Sequence, residues 1–351
     1  MRVSSFMNAR ILLVTGSLIL SVLIGSVIAR RSGSSTTARK AGARPKIGLS
    51  LDTLKEERWQ RDRDRFLAAA ERLGAEVLVQ SANGDDKTQA SDVDSLLTSG
   101  IDVLVIVPHD AAAMSNSVAK ARAARVPVIS YDRLITNADV TLYISFDNEK
   151  VGEEQARYLV SRLPGGKGNI VRIYGSPTDN NAKLFKAGQD RVILPLVKSG
   201  AVTVVHEDWA QDWKPENAKK IMNAAITNGK GVDGVLASND GTAGGAVQAL
   251  MEASLAGKTV VTGQDAELAA CQRIMRGTQS MTIYKRLSEL ADSAAEAAVK
   301  LAAQDIPVVT TTVNNGMKEV PSLLRDVVVV DKANMSQTVV KDGFHQAQDL
   351  Q

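Results

Sequence analysis

From Lys46 almost to the C-terminus, short β-rich runs alternate with helical stretches, and the alternation restarts near residue 149. The first series contains KIGLSLD (46–52), EVLVQSA (76–82), DVLVIVP (102–108) and VPVISYD (126–132). Between its first two runs, about residues 57–73, Phe66, Ala70 and Leu73 recur at helical spacing on one face. After VTLYISFDN (140–148) the pattern begins again. Helix 149–162 leads into NIVRIYGS (169–176), helix 181–198, VTVVHED (202–208), helix 215–228, DGVLAS (233–238), helix 241–255 and TVVTGQD (259–265). MTIYK (281–285) and the Ala-rich helix 287–303 add one more βα element, before TTTVNNG, RDVVVVDK (325–332) and a short terminal helix. A strand with one wet face alternates apolar with polar residues, whereas these runs are nearly continuous. They therefore belong in parallel sheets covered by helices on both faces. Two such series predict an α/β chain with two doubly wound lobes.

A chain of 351 residues has the length for two medium domains with separate cores. Its net charge of +3 conceals a division. Residues 1–46 carry eight basic groups and no acid, so the body from Ile47 onward holds 34 basic against 39 acidic residues, about −5. A body of that charge has no electrostatic footprint for nucleic acid. The basic excess belongs to a leader in which Arg2 and Arg10 precede an uncharged stretch, Ile11–Ala29. At 19 residues this stretch exceeds the roughly 7–15 of a signal-peptide core and approaches a spanning helix of about 20. Residues 1–29 are thus either a secretory signal or an N-terminal membrane anchor. The basic groups that follow, in the flexible spacer 30–45, would favour a cytoplasmic location under the positive-inside rule and sit awkwardly with a simple anchor. Export is expected, either free into the periplasm or held at the outer face of the cytoplasmic membrane by residues 11–29. The single Cys271 forms no intramolecular disulfide and is expected on a helix as a small hydrophobe.

Open parallel sheets bind ligands beyond the carboxyl ends of their strands. In the first series Arg58 and Trp59 follow the first strand, and Tyr131–Asp132–Arg133 end the fourth. In the second, residues Gly175–Asn181 follow the first strand, Trp209 and Trp213 the second, Asn239–Asp240 the third and Gln264–Asp265 the fourth, while Lys285 closes the next. Carboxylates, amides and guanidinium groups suit sugar hydroxyls, each of which both donates and accepts. The flat C–H faces of a pyranose suit an indole. Aromatic residues make up only 4% of the chain, yet all three tryptophans fall at these strand ends.

Several strings in order, ERWQRDRD (57–64), YDR (131–133), ISFDNEKV (144–151), GSPTDNNAKLFK (175–186), WKPEN (213–217), ASND (237–240), GQDA (263–266) and VKDGFH (340–345), closely resemble the D-xylose-binding proteins of bacterial ABC transporters. Those proteins form part of the ribose/galactose-type family of periplasmic sugar-binding proteins. The resemblance runs from about Lys46 to His345 and departs only in the leader and basic spacer. It implies a type I periplasmic binding protein fold, with two lobes joined by a hinge that close over one sugar held between two tryptophans. Carried over by position, Arg58, Trp59, Asp132 and Arg133 would face the sugar from the first lobe, and Asp179, Asn181, Trp213, Asn239 and Asp265 from the second, with Lys285 near the hinge. The expected division is 46–149 plus 285–315 for the N-terminal lobe and 150–284 plus 316–351 for the C-terminal one. The implied function is non-enzymatic capture of a monosaccharide, D-xylose by preference, by a monomer that delivers it to an ABC permease.

Simpler roles compete at several positions. Trp209 reads as core packing, and Asp132–Arg133 has an alternative as a surface ion pair. Asp240 reads as the cap of helix 241–255, leaving Asn239 free for ligand, and Asp265 has an alternative as a cap of the helix after it. Arg61, Asp62, Arg63 and Asp64 read as a solvated helix face. AGKT (256–259) is not a phosphate loop, because Glu252 stands where that motif needs glycine and a strand follows it. GTAGG (241–245) lacks dinucleotide-binding spacing, so no cofactor is expected. His109, His206 and His345 are scattered, without HExxH or a Cys/His cluster, so no metal is expected. A sugar-responsive repressor would need an N-terminal helix-turn-helix where this chain has its apolar segment. A membrane-tethered sugar sensor for chemotaxis or signalling stays open through the leader.

Overall fold

The computed structural model describes residues 43–351. The signal or anchor at 1–29 and most of the spacer lie outside the described residues. The first lobe opens with β1 (Lys46–Leu51), α1 (Glu57–Arg72), β2 (Glu76–Ser81), α2 (Asp86–Thr98), β3 (Val103–Ile106), α3 (Ser115–Ala123), β4 (Val128–Tyr131) and β5 (Leu142–Phe146). The second contains α4 (Asn148–Arg162), β6 (Gly168–Tyr174), α5 (Asn180–Lys198), β7 (Val202–Trp209), α6 (Pro215–Thr227), β8 (Gly234–Ala237), α7 (Asp240–Glu252), β9 (Val260–Val261), α8 (Leu268–Arg276) and β10 (Thr282–Tyr284). The chain then returns to the first lobe for α9 (Leu287–Ala302), β11 (Thr311–Asn314) and β12 (Glu319–Arg325). It ends against the second with β13 (Val328–Val330), which runs antiparallel to β10. The expected terminal helix is reduced to short 3₁₀ turns at Met335–Gln337 and Ala347–Leu350.

The first sheet has the order β11-β12-β5-β4-β3-β1-β2 and is parallel except at β11. The second has the order β7-β6-β8-β9, all parallel. Both faces of each sheet are covered, which is why the strands read as unbroken apolar runs. Along β3, Val103 and Val105 join a core with Phe66 of α1 and Leu290, Ala291 and Ala294 of α9. Leu104 and Ile106 point the other way, into a core with Val93, Leu96 and Val118 of α2 and α3. The second sheet repeats the arrangement, with Val171 and Ile173 on one face and Ile170 and Leu236 on the other. Burial of a side chain such as Phe66 is worth about 1.5–3 kcal/mol. Cys271 is buried on α8, as a small apolar residue there should be.

One boundary differs from the sequence division. The sequence division puts residues 316–325 in the second lobe, but β12 pairs in parallel with β5, placing Ser322 beside Tyr143 and Arg325 beside Phe146. Pro321 inside EVPSLLR argues locally against a central strand. The pairing depends on a partner far away in sequence, so the run gives no local sign of it.

Three connections pass between the lobes, after β5, after β10 and after β12. Two of them lie side by side, and the Asp147 N–H donates to the Arg325 carbonyl at 3.0 Å. In the second lobe α4 and α5 approach almost backbone to backbone. A Cβ on Gly152 would lie 1.9 Å from the Phe185 carbonyl oxygen, and one on Gly188 the same distance from that of Glu149. Only glycine allows this approach, and it fixes α5, whose first turn reaches the cleft.

Candidate ligand site between the lobes

Where the carboxyl ends of the two sheets face one another, side chains from both lobes enclose a cavity whose empty space, out to its mouth, is about 350 Å³. Every residue that the resemblance places at the sugar lines it: Arg58, Trp59, Asp132 and Arg133 from one side, and Asp179, Asn181, Trp213, Asn239, Asp265 and Lys285 from the other. Trp209 lies elsewhere, tilted against Tyr174 with ring centroids 4.9 Å apart, in keeping with a packing role.

On the first lobe, the opening turn of α1 carries Arg58 and Trp59. Arg58 Nη2 donates to Asp132 Oδ2 at 2.7 Å and to Asp62 Oδ2 at 2.8 Å, while Nη1 reaches Asp265 Oδ1 of the second lobe at 3.4 Å. Its guanidinium carbon lies 4.1 Å from the centroid of the Trp59 ring, a cation–π contact that braces the indole. Asp132 has φ of 60°, a left-handed conformation for a non-glycine residue. The turn is held by its own carbonyl, which accepts from Ser145 Oγ at 2.5 Å and Asn181 Nδ2 at 3.1 Å. Burial alone would lift the Asp132 carboxyl, but Arg58 and then Lys285 outweigh it and hold the group below the usual carboxylate range.

On the second lobe, Asp179 caps α5, accepting from the Asn181 N–H at 2.9 Å, and also accepts from Trp213 Nε1 at 3.1 Å. Arg133 Nε meets the same carboxylate at 2.8 Å from across the cleft. Burial raises the Asp179 carboxyl despite this partner. Trp213 leaves its 3₁₀ turn with φ of 57° and lies flat over the chain at Gly175, where a Cβ would come within 2.0 Å of the indole. Glycine at 175 is therefore a condition of the ring's position. Lys285 Nζ is 3.3 Å from Asp265 Oδ1 and sits 5.6 Å from the ring centroids of Phe146 and Phe185.

The structure corrects two readings, those of Asp240 and Asp62, and decides between the two offered for Asp265. Asn239, not Asp240, caps α7: its side chain accepts from the Thr242 N–H at 2.8 Å in a capping box, while also lining the cavity. Asp240 is buried behind it and accepts from Gln279 Nε2, Thr282 Oγ1 and the Glu267 N–H, tying down the loop before α8. Asp265 caps nothing, because α8 begins at Leu268 after Glu267. Asp62 does not belong to a solvated face. It is 0% exposed, bonded to Arg58 one turn before it and to Tyr131 Oη at 2.5 Å. Spacing of i, i+4 from Arg58 on a helix was the signal for this partnership.

Glu56 and Phe185, which the sequence does not single out, also line the cavity, as does Gln264, a strand-end residue outside the set of expected sugar contacts. Phe185 lies one turn after Asn181 on α5, and its ring meets Trp213 edge-on at 6.3 Å. Beside this cavity a second one, about 510 Å³, opens past Glu56, Arg133 and Trp213 toward His109 and Asp52. There His109 Nδ1 is 2.9 Å from Asp52 Oδ1, and Asp52 Oδ2 accepts from Arg133 Nη1 at 2.6 Å. Among the described residues no group of three or more His, Cys, Asp or Glu side chains is placed to hold a metal ion.

Two doubly wound lobes, linked by three connections and meeting over a cavity of paired charges, amides and indoles, define a type I solute-binding protein. The chain belongs to the periplasmic binding protein family, whose periplasmic binding protein domain matches residues 47–306. It is 52% identical over 306 residues to the D-xylose-binding periplasmic protein of Escherichia coli (strain K12), covering 87% of this chain and 92% of that one. The protein of the same description from Haemophilus influenzae is 51% identical over the same shares. Among solved structures, a carbohydrate transporter solute binding protein from Chloroflexus aurantiacus in complex with D-glucose superposes with a TM-score of 0.82 at 35% identity, covering 88% of this chain and 98% of that one.

Proposed function

We propose that this chain is an exported, non-enzymatic solute-binding protein that captures one monosaccharide, D-xylose, between its lobes and delivers it to an ABC permease. One observation carries the reading: residues from the ends of separate strands in both lobes converge on a single small cavity equipped for a polyhydroxylated ring. In this reading Trp59 and Trp213 take the apolar faces of the sugar. Asp132, Asp179 and Asp265 accept from its hydroxyls, while Arg58, Arg133, Asn181, Asn239 and Lys285 donate to them. The cross-lobe pairs Arg58–Asp265 and Arg133–Asp179 mark a closed arrangement that sugar binding favours by bridging both lobes. The monomer presents the closed surface to the permease.

The periplasmic description of the two relatives supports export, and their binding-protein character supports the absence of catalysis. Among the described residues no helix is long and apolar enough to cross a membrane. Xylose is preferred over glucose because the relatives described as binding it share about half of the aligned positions, against about a third for the structural neighbour that holds glucose. Calorimetric titration of residues 46–351 with D-xylose, D-glucose and D-ribose tests the reading. One-to-one binding that prefers xylose is expected. Preference for glucose would reassign the ligand, and no heat with any of the three would reject the site.

A further inference from the structure

Three polar atoms on cavity-lining side chains are buried without a hydrogen-bond partner: Glu56 Oε2, Arg58 Nε and Gln264 Oε1. They are not equivalent. The other nitrogens of Arg58 already serve three carboxylates, and Glu56 also borders the second cavity, where it is half-buried and nearer to solvent. Gln264 faces the sugar cavity alone and is 2% exposed. Its main chain is fixed on two sides, since its carbonyl accepts from the Asp240 N–H at 2.9 Å and it forms a parallel bridge to Ile283. Its Nε2 donates to the Ser238 carbonyl at 3.4 Å, which assigns the amide's donor end to the protein and leaves the acceptor end over. An enclosed amide oxygen without a donor is costly, and native structures seldom retain one unless something else supplies the donor.

We propose that Gln264 is a further ligand contact, its Oε1 accepting the O–H of one hydroxyl of the bound sugar. The contact would contribute to specificity, because a pure acceptor rewards a ligand group that can donate and leaves a deoxy position unpaired. Its neighbours Asn239 and Asp265 line the same cavity, so the hydroxyl it takes belongs to the edge of the ring that faces the second lobe. This inference rests on the sugar-binding function proposed above.

The test is a double-mutant cycle between protein and ligand. Calorimetric affinities are measured for the wild-type chain and Gln264→Met with D-xylose and each of its monodeoxy analogues. A lost neutral hydrogen bond predicts affinity for xylose about tenfold weaker in Gln264→Met. One deoxy analogue should bind the wild type less well than xylose does yet show little further loss in the variant, while the other analogues lose equally in both proteins. Gln264→Glu, which keeps an acceptor, should retain the penalty for that same analogue, and it serves as the readout if the methionine variant unfolds. Equal losses in every protein, or wild-type affinity in Gln264→Met, would overturn the contact. Absence of xylose binding by the wild type would instead overturn the proposed function, and the contact with it.

Discussion

Arg133 joins the two lobes at the cavity between them: its Nη1 holds Asp52 of the first lobe at 2.6 Å while its Nε holds Asp179 of the second at 2.8 Å. All three side chains are buried. Asp179 in turn accepts from the Trp213 indole, so one guanidinium sets both the closed spacing of the lobes and the seat of an aromatic ring. Replacing it by leucine leaves two buried carboxylates without their cation. Removing one partner of such a pair costs about 3–5 kcal/mol. Arg133→Leu is expected to abolish measurable xylose binding in calorimetry and to leave small-angle scattering unchanged on addition of sugar. Wild-type affinity in this variant would remove Arg133 from the closing mechanism.

Gly175 offers a test that leaves the indole in place chemically. Its missing side chain makes room for Trp213, and a methyl there would overlap the ring. Gly175→Ala should therefore weaken sugar affinity nearly as much as Trp213→Ala, by about 1.5–3 kcal/mol if the ring stacks on the ligand. Tryptophan fluorescence should shift as Trp213 is displaced. Retained affinity in both variants would sink the stacking role.

Asp62 and Asp64 lie two residues apart on α1 and should behave oppositely. Asp62 is enclosed beneath Arg58, whereas the Asp64 side chain is 63% exposed and pairs with Arg63 at the surface. Asp62→Ala should lower xylose affinity without touching the cavity, because Arg58 loses the carboxylate that orients it. Asp64→Ala should leave both affinity and stability within about 0.5 kcal/mol of wild type. Equal effects of the two substitutions would contradict the buried placement of Asp62.

A pH dependence follows from His109. Its hydrogen bond with Asp52 is the largest influence and raises its pKa above the ordinary value, with burial opposing. Asp52 and Asp86 favour the charged ring, and Arg133 disfavours it. A raised folded-state pKa means that the stabilisation is fully present below the unfolded value of about 6.5 and is lost as pH climbs through the folded value. The difference in Tm between wild type and His109→Gln should thus shrink as pH rises above about 6.5. The ring is half-buried, so the effect should be modest. A difference that grows with pH would reverse the assigned sign.

Much of this molecule was legible in its sequence because the physics concerned is local. Continuous apolar runs such as VLVI at 103–106, alternating with helical stretches, fit strands covered on both faces, and the residues that follow such strands point into the cleft in this architecture. For that reason the strand-end residues that the resemblance places at the sugar line one cavity, whereas Trp209, also at a strand end, packs against Tyr174. The misreadings fall where the deciding contact is remote. Asp62 is a carboxylate in a charged run until the fold closes Tyr131 and Arg58 over it, and EVPSLLR is an unremarkable segment until it is laid beside β5. The exchange of roles between Asn239 and Asp240 has the same origin, since either fits a cap locally and only the polar groups of Gln279, Thr282 and Glu267 give Asp240 another place.

The sequence alone therefore determined the two α/β lobes and the polar and aromatic residues at the strand ends that line the cavity, because periodicity and side-chain type act over a few residues. Tertiary structure alone decided which charges pair across the cleft, how Gly175 admits Trp213, and that Gln264 keeps an acceptor without a donor. Each of these depends on distances between groups far apart along the chain, and such distances exist only once both sheets have formed and met.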